Sequence, residues 1–395
     1  MRLGLSDSEQ QLQAGLRVWL ADVLPNLPAP PAADDWAGRR RFDTEWQRRL
    51  YDAGYAGISW PVAYGGRAAS PAEQLVFLEE MARNRAPNIG VNFVGQLHAG
   101  PTLMAEASEE QKAFHLPAIL RGDHVWCQGF SEPGAGSDLA ALRCRATRDG
   151  DEYVITGQKI WSSFAQVADY AEVLVRTDPD APKHKGISWL IVPMKASGLE
   201  VRPIRTVAGS SEFSEVFFDE VRVPVGNRVG VENDGWRVAM VTFAFERGTA
   251  FVGEVVDAMR LLDDIVAEAR RSGAWADDGI RAQFGRLAAL FDALWALTKR
   301  NVSEAARTGT VGAGGSVLKL QLAEAAQDLA DLGRRVLGPA GLAVDVVGKA
   351  DGRHVMGERL RSLGLSIGGG TSQIQRNVIA ERLLGLPKEP PWTSR

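Results

Sequence analysis

The chain has 395 residues, 45% of them hydrophobic and 24% charged, enough for two or three domains with substantial cores. A formal net charge of −4 supplies no basic field, so nucleic acid and an anionic membrane surface are not the expected partners. The two cysteines, Cys127 and Cys144, make neither a metal-ligand cluster nor a disulfide framework, and read as reduced thiols.

Met1 to Gln13 shows no basic stretch followed by an apolar one, and no apolar run is long enough to span a bilayer. The expectation is a cytoplasmic protein with no membrane partner. No GxGxxG follows a strand pattern and no GxxxxGK[ST] occurs. A nucleotide cofactor would therefore be held without a Rossmann site or a P-loop.

Leu12, Leu16, Trp19 and Leu20 recur at helical spacing. The proline-rich stretch Pro25 to Pro31 must end that helix, because proline lacks the donor and fixes φ. Further helices are predicted over about 43–53, 71–85 and 108–121, with Ser70-Pro71 and Ser108 as starts. Tyr64-Gly65-Gly66 reads as a turn. From about 123 to 230 the pattern changes to short β-rich runs: Tyr153 to Thr156, Ala171 to Val175, Ile187 to Val192, and Glu215 to Phe218. No long helical pattern separates them, so an antiparallel sheet or small barrel is predicted. Helical periodicity returns over about 235–272, 277–309, 315–337 and 372–384, with glycine-rich breaks at Gly309 to Gly315 and Gly338 to Gly341. Pro387 to Arg395 reads as a loose end. The class is α+β, in three domains: helical 1–122, β 123–232 and a helical bundle 233–395.

Three segments carry the chemistry. Gly129-Phe130-Ser131-Glu132-Pro133-Gly134-Ala135-Gly136-Ser137-Asp138 is a small-residue loop in which glycines allow close backbone approach and successive N–H groups can cradle an anion or carbonyl. The plain alternative is a tight turn. Thr156-Gly157-Gln158-Lys159-Ile160-Trp161-Ser162-Ser163 is a strand whose tryptophan, taken alone, reads as core. Ile367-Gly368-Gly369-Gly370-Thr371-Ser372-Gln373-Ile374-Gln375 is a glycine run opening a helix. Its N–H groups suit a cofactor, and Thr371 or Ser372 serves equally well as a plain cap.

Taken together and in this order, the three runs resemble the signatures of the acyl-CoA dehydrogenase family, and the resemblance covers essentially the whole chain. It implies an N-terminal α-domain, a middle antiparallel β-domain and a C-terminal four-helix bundle, with FAD between the last two and partly covered by another subunit. It implies that Phe130 and Ser131 lie against the isoalloxazine, and that Gly136 and Ser137 approach the pyrophosphate or the pantetheine of the substrate. Trp161 would cover the flavin, Ser163 would bond to it, and Thr371 and Gln373 would contact FAD.

The family's catalytic glutamate often stands in the third segment, where this chain has Gly369; the backbone N–H kept there would still hold the thioester oxygen. A second branch carries the base on a helix just before an arginine. Thr242-Phe243-Ala244-Phe245-Glu246-Arg247 resembles that branch, which makes Glu246 the base and Arg247 its orienting neighbour. The small and apolar residues one turn away would raise an acid's pKa, as proton abstraction requires. The competing reading is an ion pair of Glu246 with Arg247 or Arg237. The resemblance further implies contacts to FAD from Arg270 or Arg271 and from the loop containing Gly338 and Gly341. In that loop Arg335 and Pro339 depart from the family pattern. His98, His124 and His354 show no metal or triad spacing and read as structural.

The implied activity is desaturation of an acyl-CoA between Cα and Cβ to the trans-2-enoyl-CoA, with an electron-transferring flavoprotein as acceptor. The implied assembly is a homodimer, a homotetramer or a mixed oligomer. The glycine run at 368–370 leaves room, and the pattern resembles bacterial family members that handle bulky or branched acyl groups, steroid side chains among them, which implies such a substrate. The alternatives are a non-catalytic or half-active FAD-binding subunit, and a flavin oxidase or monooxygenase on the same fold.

Overall fold

The computed structural model describes residues 4–246, 251–308, 312–342 and 355–388. Its helices are α1 (Asp7–Val23), α2 (Trp36–Asp52), α3 (Pro71–Arg83), α4 (Gly100–Glu106), α5 (Glu109–Arg121), α6 (Gly235–Glu246), α7 (Val252–Ser272), α8 (Asp278–Thr308), α9 (Gly314–Leu337), α10 (Val355–Leu365) and α11 (Ser372–Val378). Its strands are β1 (Trp126–Gly129), β2 (Arg145–Asp149), β3 (Glu152–Ser163), β4 (Tyr170–Arg176), β5 (Ile187–Pro193), β6 (Leu199–Ile204), β7 (Phe213–Pro224) and β8 (Arg228–Val229). The helical, β, helical order of the sequence reading is observed.

Local signals start and stop the helices where the chemistry demands. The Ser108 hydroxyl accepts from Gln111 N–H at 3.2 Å, and Gln111 Oε1 accepts from Ser108 N–H at 3.0 Å, a reciprocal cap on α5. Asp35 caps α2 by accepting from Gly38 N–H at 2.7 Å. The helix predicted over 235–272 is two helices: α6 ends at Glu246, and Phe251, in a non-helical conformation, precedes α7. The helix α10 was not anticipated.

The chain forms two compact units that do not follow chain order: residues 22–70 with 87–246, and residues 1–21 with 71–86 and 247–395. The first holds an eight-stranded sheet, with neighbours in the order β6-β7-β3-β2-β4-β5-β8 and β1 beside β4. Most pairings are antiparallel; β1 and β2 meet β4 in parallel. β4 and β5 are buried along almost their whole length, which explains why they read as continuous apolar runs, not alternating ones. Their core includes Tyr153, Ile155, Val173, Val175, Leu190 and Val192.

In the second unit α7, α8, α9 and α10 pack as a helical bundle. Along α8, Ile280, Leu287, Phe291, Leu294 and Val302 are buried at helical spacing. The first four meet Leu262 and Ile265 of α7 and Leu322 and Leu329 of α9, while Val302 packs with Leu75 of α3 and Val252 of α7. Both α1 and α3 belong to this unit: Glu80 of α3, nearly fully buried, takes two bonds from Arg17 at 2.7 and 2.8 Å and one from Gln13 at 2.7 Å.

Candidate active site

In the sheet unit, β1 ends at Gly129 and delivers Phe130, Ser131 and Glu132. Phe130 is buried at 3% exposure, and its ring meets that of Phe243 on α6 edge-on, centroids 5.9 Å apart. Ser131 is half-buried; Gly136 and Ser137 are exposed beyond it. A Cβ on Gly134 or Gly136 would meet nothing within 4 Å, so that tip is open to a ligand. The turn is closed by Glu132 and Ala135, which exchange backbone bonds of 3.1 and 3.0 Å.

On β3 the sequence Gly157 to Ser163 meets two constraints. Gly157 has φ +149°, and a Cβ there would lie 2.7 Å from Cys144 Cα; only glycine fits. Between Lys159 and Ser162 the strand gains one residue on β7, whose partners run from Val216 to Ser214. This bulge turns Trp161 into the left-handed region (φ 64°) and leaves its indole 55% exposed. Such a conformation costs about 1–3 kcal/mol for a bulky residue. Ser163 follows, half-buried. An exposed, strained tryptophan beside two half-buried serines fits a planar polar ring system such as a flavin.

A feature the sequence reading passed over ties these parts together. Lys159, fully buried, donates to Glu132 Oε1 at 2.8 Å and to the Phe130 carbonyl at 3.0 Å. The Glu132 carboxylate also accepts from the N–H groups of Arg143 (2.7 Å) and Cys144 (2.8 Å). Ile160 N–H donates to the Ser131 carbonyl at 3.0 Å. The available signal was one charge of each sign in two runs otherwise free of charge, Glu132 within 126–137 and Lys159 within 155–163, since burial of either alone is prohibitive.

The helix α6 docks beside this loop. The hydroxyls of Thr242 and Thr102 are 2.8 Å apart, and Arg237 grips Glu106 at 2.6 and 2.7 Å, so α6 and α4 run antiparallel. Arg237 also binds Asp234 at 2.7 Å. Glu246 is the last described position of α6, three residues after Phe243 and four after Thr242. Arg247 and the side chain of Glu246 lie outside the described residues.

Next to β1, a π turn (Gly95–Ala99) presents His98, another element not anticipated. His98 Nδ1 lies 3.2 Å from Gln128 Nε2, which donates to buried Glu172 at 2.7 Å. Burial pushes His98 down to about 4, so the ring is neutral. His124 stands with His115, Trp126 and Tyr170 in an aromatic box. His354 lies outside the described residues.

In the bundle unit, Thr371 caps α11 by accepting from Ile374 N–H at 3.2 Å. Gly369 and Gly370 have φ of 64° and 90°, a backbone that glycine alone adopts freely. Gln375, buried, donates to the Gly369 carbonyl at 2.9 Å, and Lys319 donates to that of Gly370. Gln373 is exposed on α11. The Gly369 side of the turn therefore keeps its N–H while its carbonyl is engaged.

Arg270, exposed, lies over the Trp275 ring at 5.3 Å; Arg271 pairs with Glu268 at 2.6 Å. Gly338 ends α9 with φ 56°. Gly341 is buried where a Cβ would meet Arg334 Cα at 3.0 Å. Gly338, but not Gly341, lines a cleft of about 380 Å³ together with Asp277, Arg334, Arg335 and Pro339.

Family models of the acyl-CoA dehydrogenase N-terminal, middle and C-terminal domains match residues 6–123, 127–221 and 233–384, and the chain belongs to the acyl-CoA dehydrogenase family. It is an acyl-CoA dehydrogenase with FAD as cofactor. It is 38% identical over 391 residues to acyl-CoA dehydrogenase IpdE1 of Mycobacterium tuberculosis, covering 96% of this chain and 98% of that one. Among solved structures, the Tcur3481-Tcur3483 steroid ACAD aligns with TM-score 0.83 at 34% identity, over 98% of this chain and 100% of that one. The ChsE4-ChsE5 complex from Mycobacterium tuberculosis aligns with TM-score 0.80 at 33% identity, again over 98% and 100%. Among the described residues no helix is long and apolar enough to cross a membrane.

Proposed function

We propose that this chain dehydrogenates an acyl-CoA with a bulky or branched acyl group to the trans-2-enoyl-CoA, with Glu246 as the base that removes the pro-R α-proton. The observation that carries the base assignment is the docking of α6. Phe243 meets Phe130 of the signature loop, and Glu246 follows three residues later on the same helix. The residue at the family's other base position is Gly369, which has no side chain to take a proton.

When bound, FAD supplies the acceptor for the β-hydride. The chain's own residues do the rest. Phe130 and Ser131 form the flavin-facing edge of the loop, Trp161 and Ser163 form the facing strand, and Gly136 and Ser137 leave the tip open. Thr371, Gln373, Arg270, Gly338 and Gly341 are the proposed FAD contacts of the bundle unit. The Gly369 N–H is the proposed donor to the thioester oxygen as it gains enolate-like charge, and Arg247 is the proposed orienting neighbour of the base. The absence of a side chain at Gly369 and Gly370 leaves room for a wide acyl group. Similarity to a steroid ACAD supports the same choice. The proposed electron acceptor is an electron-transferring flavoprotein.

The test is anaerobic bleaching of the flavin band by a panel of acyl-CoA esters, wild type against Glu246→Gln. Bleaching by bulky esters that the variant loses while keeping FAD supports both assignments. Bleaching that survives in the variant refutes the base, and preference for short straight chains refutes the substrate class. Similarity to the ChsE4-ChsE5 complex favours a second reading, in which this chain works beside a partner chain. FAD retention and turnover by the purified chain alone would refute it.

A further inference from the structure

We propose that Lys159 is a positioning residue for the flavin-facing edge, acting through its buried pair with Glu132. The inference rests on the assignment of Ser131 and Trp161 to the flavin. Those two residues lie on separate segments, thirty positions apart in the sequence. Three bonds hold the segments in register: Lys159 to the Phe130 carbonyl (3.0 Å), Lys159 to Glu132 (2.8 Å), and Ile160 N–H to the Ser131 carbonyl (3.0 Å). Glu132 extends the clamp to a third segment through the N–H groups of Arg143 and Cys144.

The clamp is local and stiff. Lys159 is fully buried and Glu132 is 9% exposed, so neither can exchange its partner for water. Every bond of the clamp is charge-assisted except that of Ile160, which raises its strength. An apolar residue at 159 would leave the Phe130 carbonyl and Glu132 Oε1 without the ammonium donor. The lysine is therefore placed to set the separation of Ser131 from the bulge that presents Trp161, and not merely to fill the core. A shift of about 1 Å at such an edge costs on the order of a hundredfold in rate while leaving binding nearly intact.

The test uses Lys159→Met and Lys159→Arg in the full chain, with two readouts. The first is hydrogen exchange of the Ile160 amide in the FAD-free protein, which reports the clamp alone. The second is the rate of flavin reduction by acyl-CoA against KM in the FAD-loaded enzyme. The expected result for Lys159→Met is Ile160 exchange faster by about tenfold, from loss of a charge-assisted network. Reduction should slow by about ten- to a hundredfold with KM changed less than about threefold. Lys159→Arg should restore the slow exchange and part of the rate. Unchanged exchange in folded Lys159→Met overturns the clamp, wherever the flavin lies. Faster exchange with an unchanged reduction rate refutes the assignment of this edge to the flavin, and the positioning role with it. If Lys159→Met does not fold, Glu132→Gln carries the same two readouts, and an unchanged Ile160 amide there overturns the proposal.

Discussion

Replacing His115 by phenylalanine should make the protein resist acid. His115 lies on α5, the helix packed under the strand that delivers Phe130, and is 6% exposed. Its ring is 5.0 Å from that of Trp126, 4.9 Å from Tyr170 and 5.8 Å from His124. Burial, with repulsion from His124 as the smaller cause, pushes it from 6.5 down to about 4. The folded-state value is the lower one, so below about pH 6.5 the unfolded chain binds a proton that the folded chain refuses. Stability is fully present above 6.5, is lost as pH falls towards 4, and falls no further below that. At about pH 5 the loss is about 1.36 kcal/mol for each of about 1.5 pH units, or about 2 kcal/mol. Phenylalanine keeps an aromatic ring, slightly larger, and removes a buried Nδ1 that has no partner, so the variant should lie within about 1–3 kcal/mol of wild type at neutral pH. Urea unfolding followed by tryptophan fluorescence, at about pH 7.5 and about pH 5, measures the difference. The reasoning is refuted if wild type and His115→Phe lose the same stability between the two.

Gly157→Ala should lower the urea midpoint by about 2–5 kcal/mol of stability, because the new methyl would meet the Cys144 backbone at 2.7 Å in a strained conformation; a loss under about 0.5 kcal/mol would contradict this. Gln375→Leu releases the Gly369 carbonyl and should weaken FAD retention by about tenfold, the loss of roughly one buried hydrogen bond; dialysis against apo-wild type reads it, and equal retention refutes it. Burial pushes the Cys144 thiol up to about 11 and the Cys127 thiol higher still. Both should therefore resist iodoacetamide at about pH 8 in the native protein and react in urea; rapid native alkylation of either would show that these thiols are not buried as described.

Much of the architecture was legible because it is decided locally. The cap at Ser108, the proline start of α3 and the apolar runs of β4 and β5 involve residues a few positions apart, and their periodicities survive any context. The three signature runs were legible for the same reason: each is contiguous. The helix predicted over 235–272 is interrupted at Phe251, whose non-helical conformation helix propensity alone does not mark.

The sequence by itself determined the helical, β, helical order, the cap at Ser108 and the contiguous motifs, since those depend on neighbours along the chain. Only the tertiary structure decided that Lys159 clamps Glu132 across 27 positions and that α1 and α3 join the bundle unit. It also decided that Gln375 is the glutamine pinning the glycine turn, while Gln373 faces outward. These depend on which distant groups share a buried space. There an unpaired charge or carbonyl is too costly to leave, and the partner that satisfies it can come from anywhere in the chain.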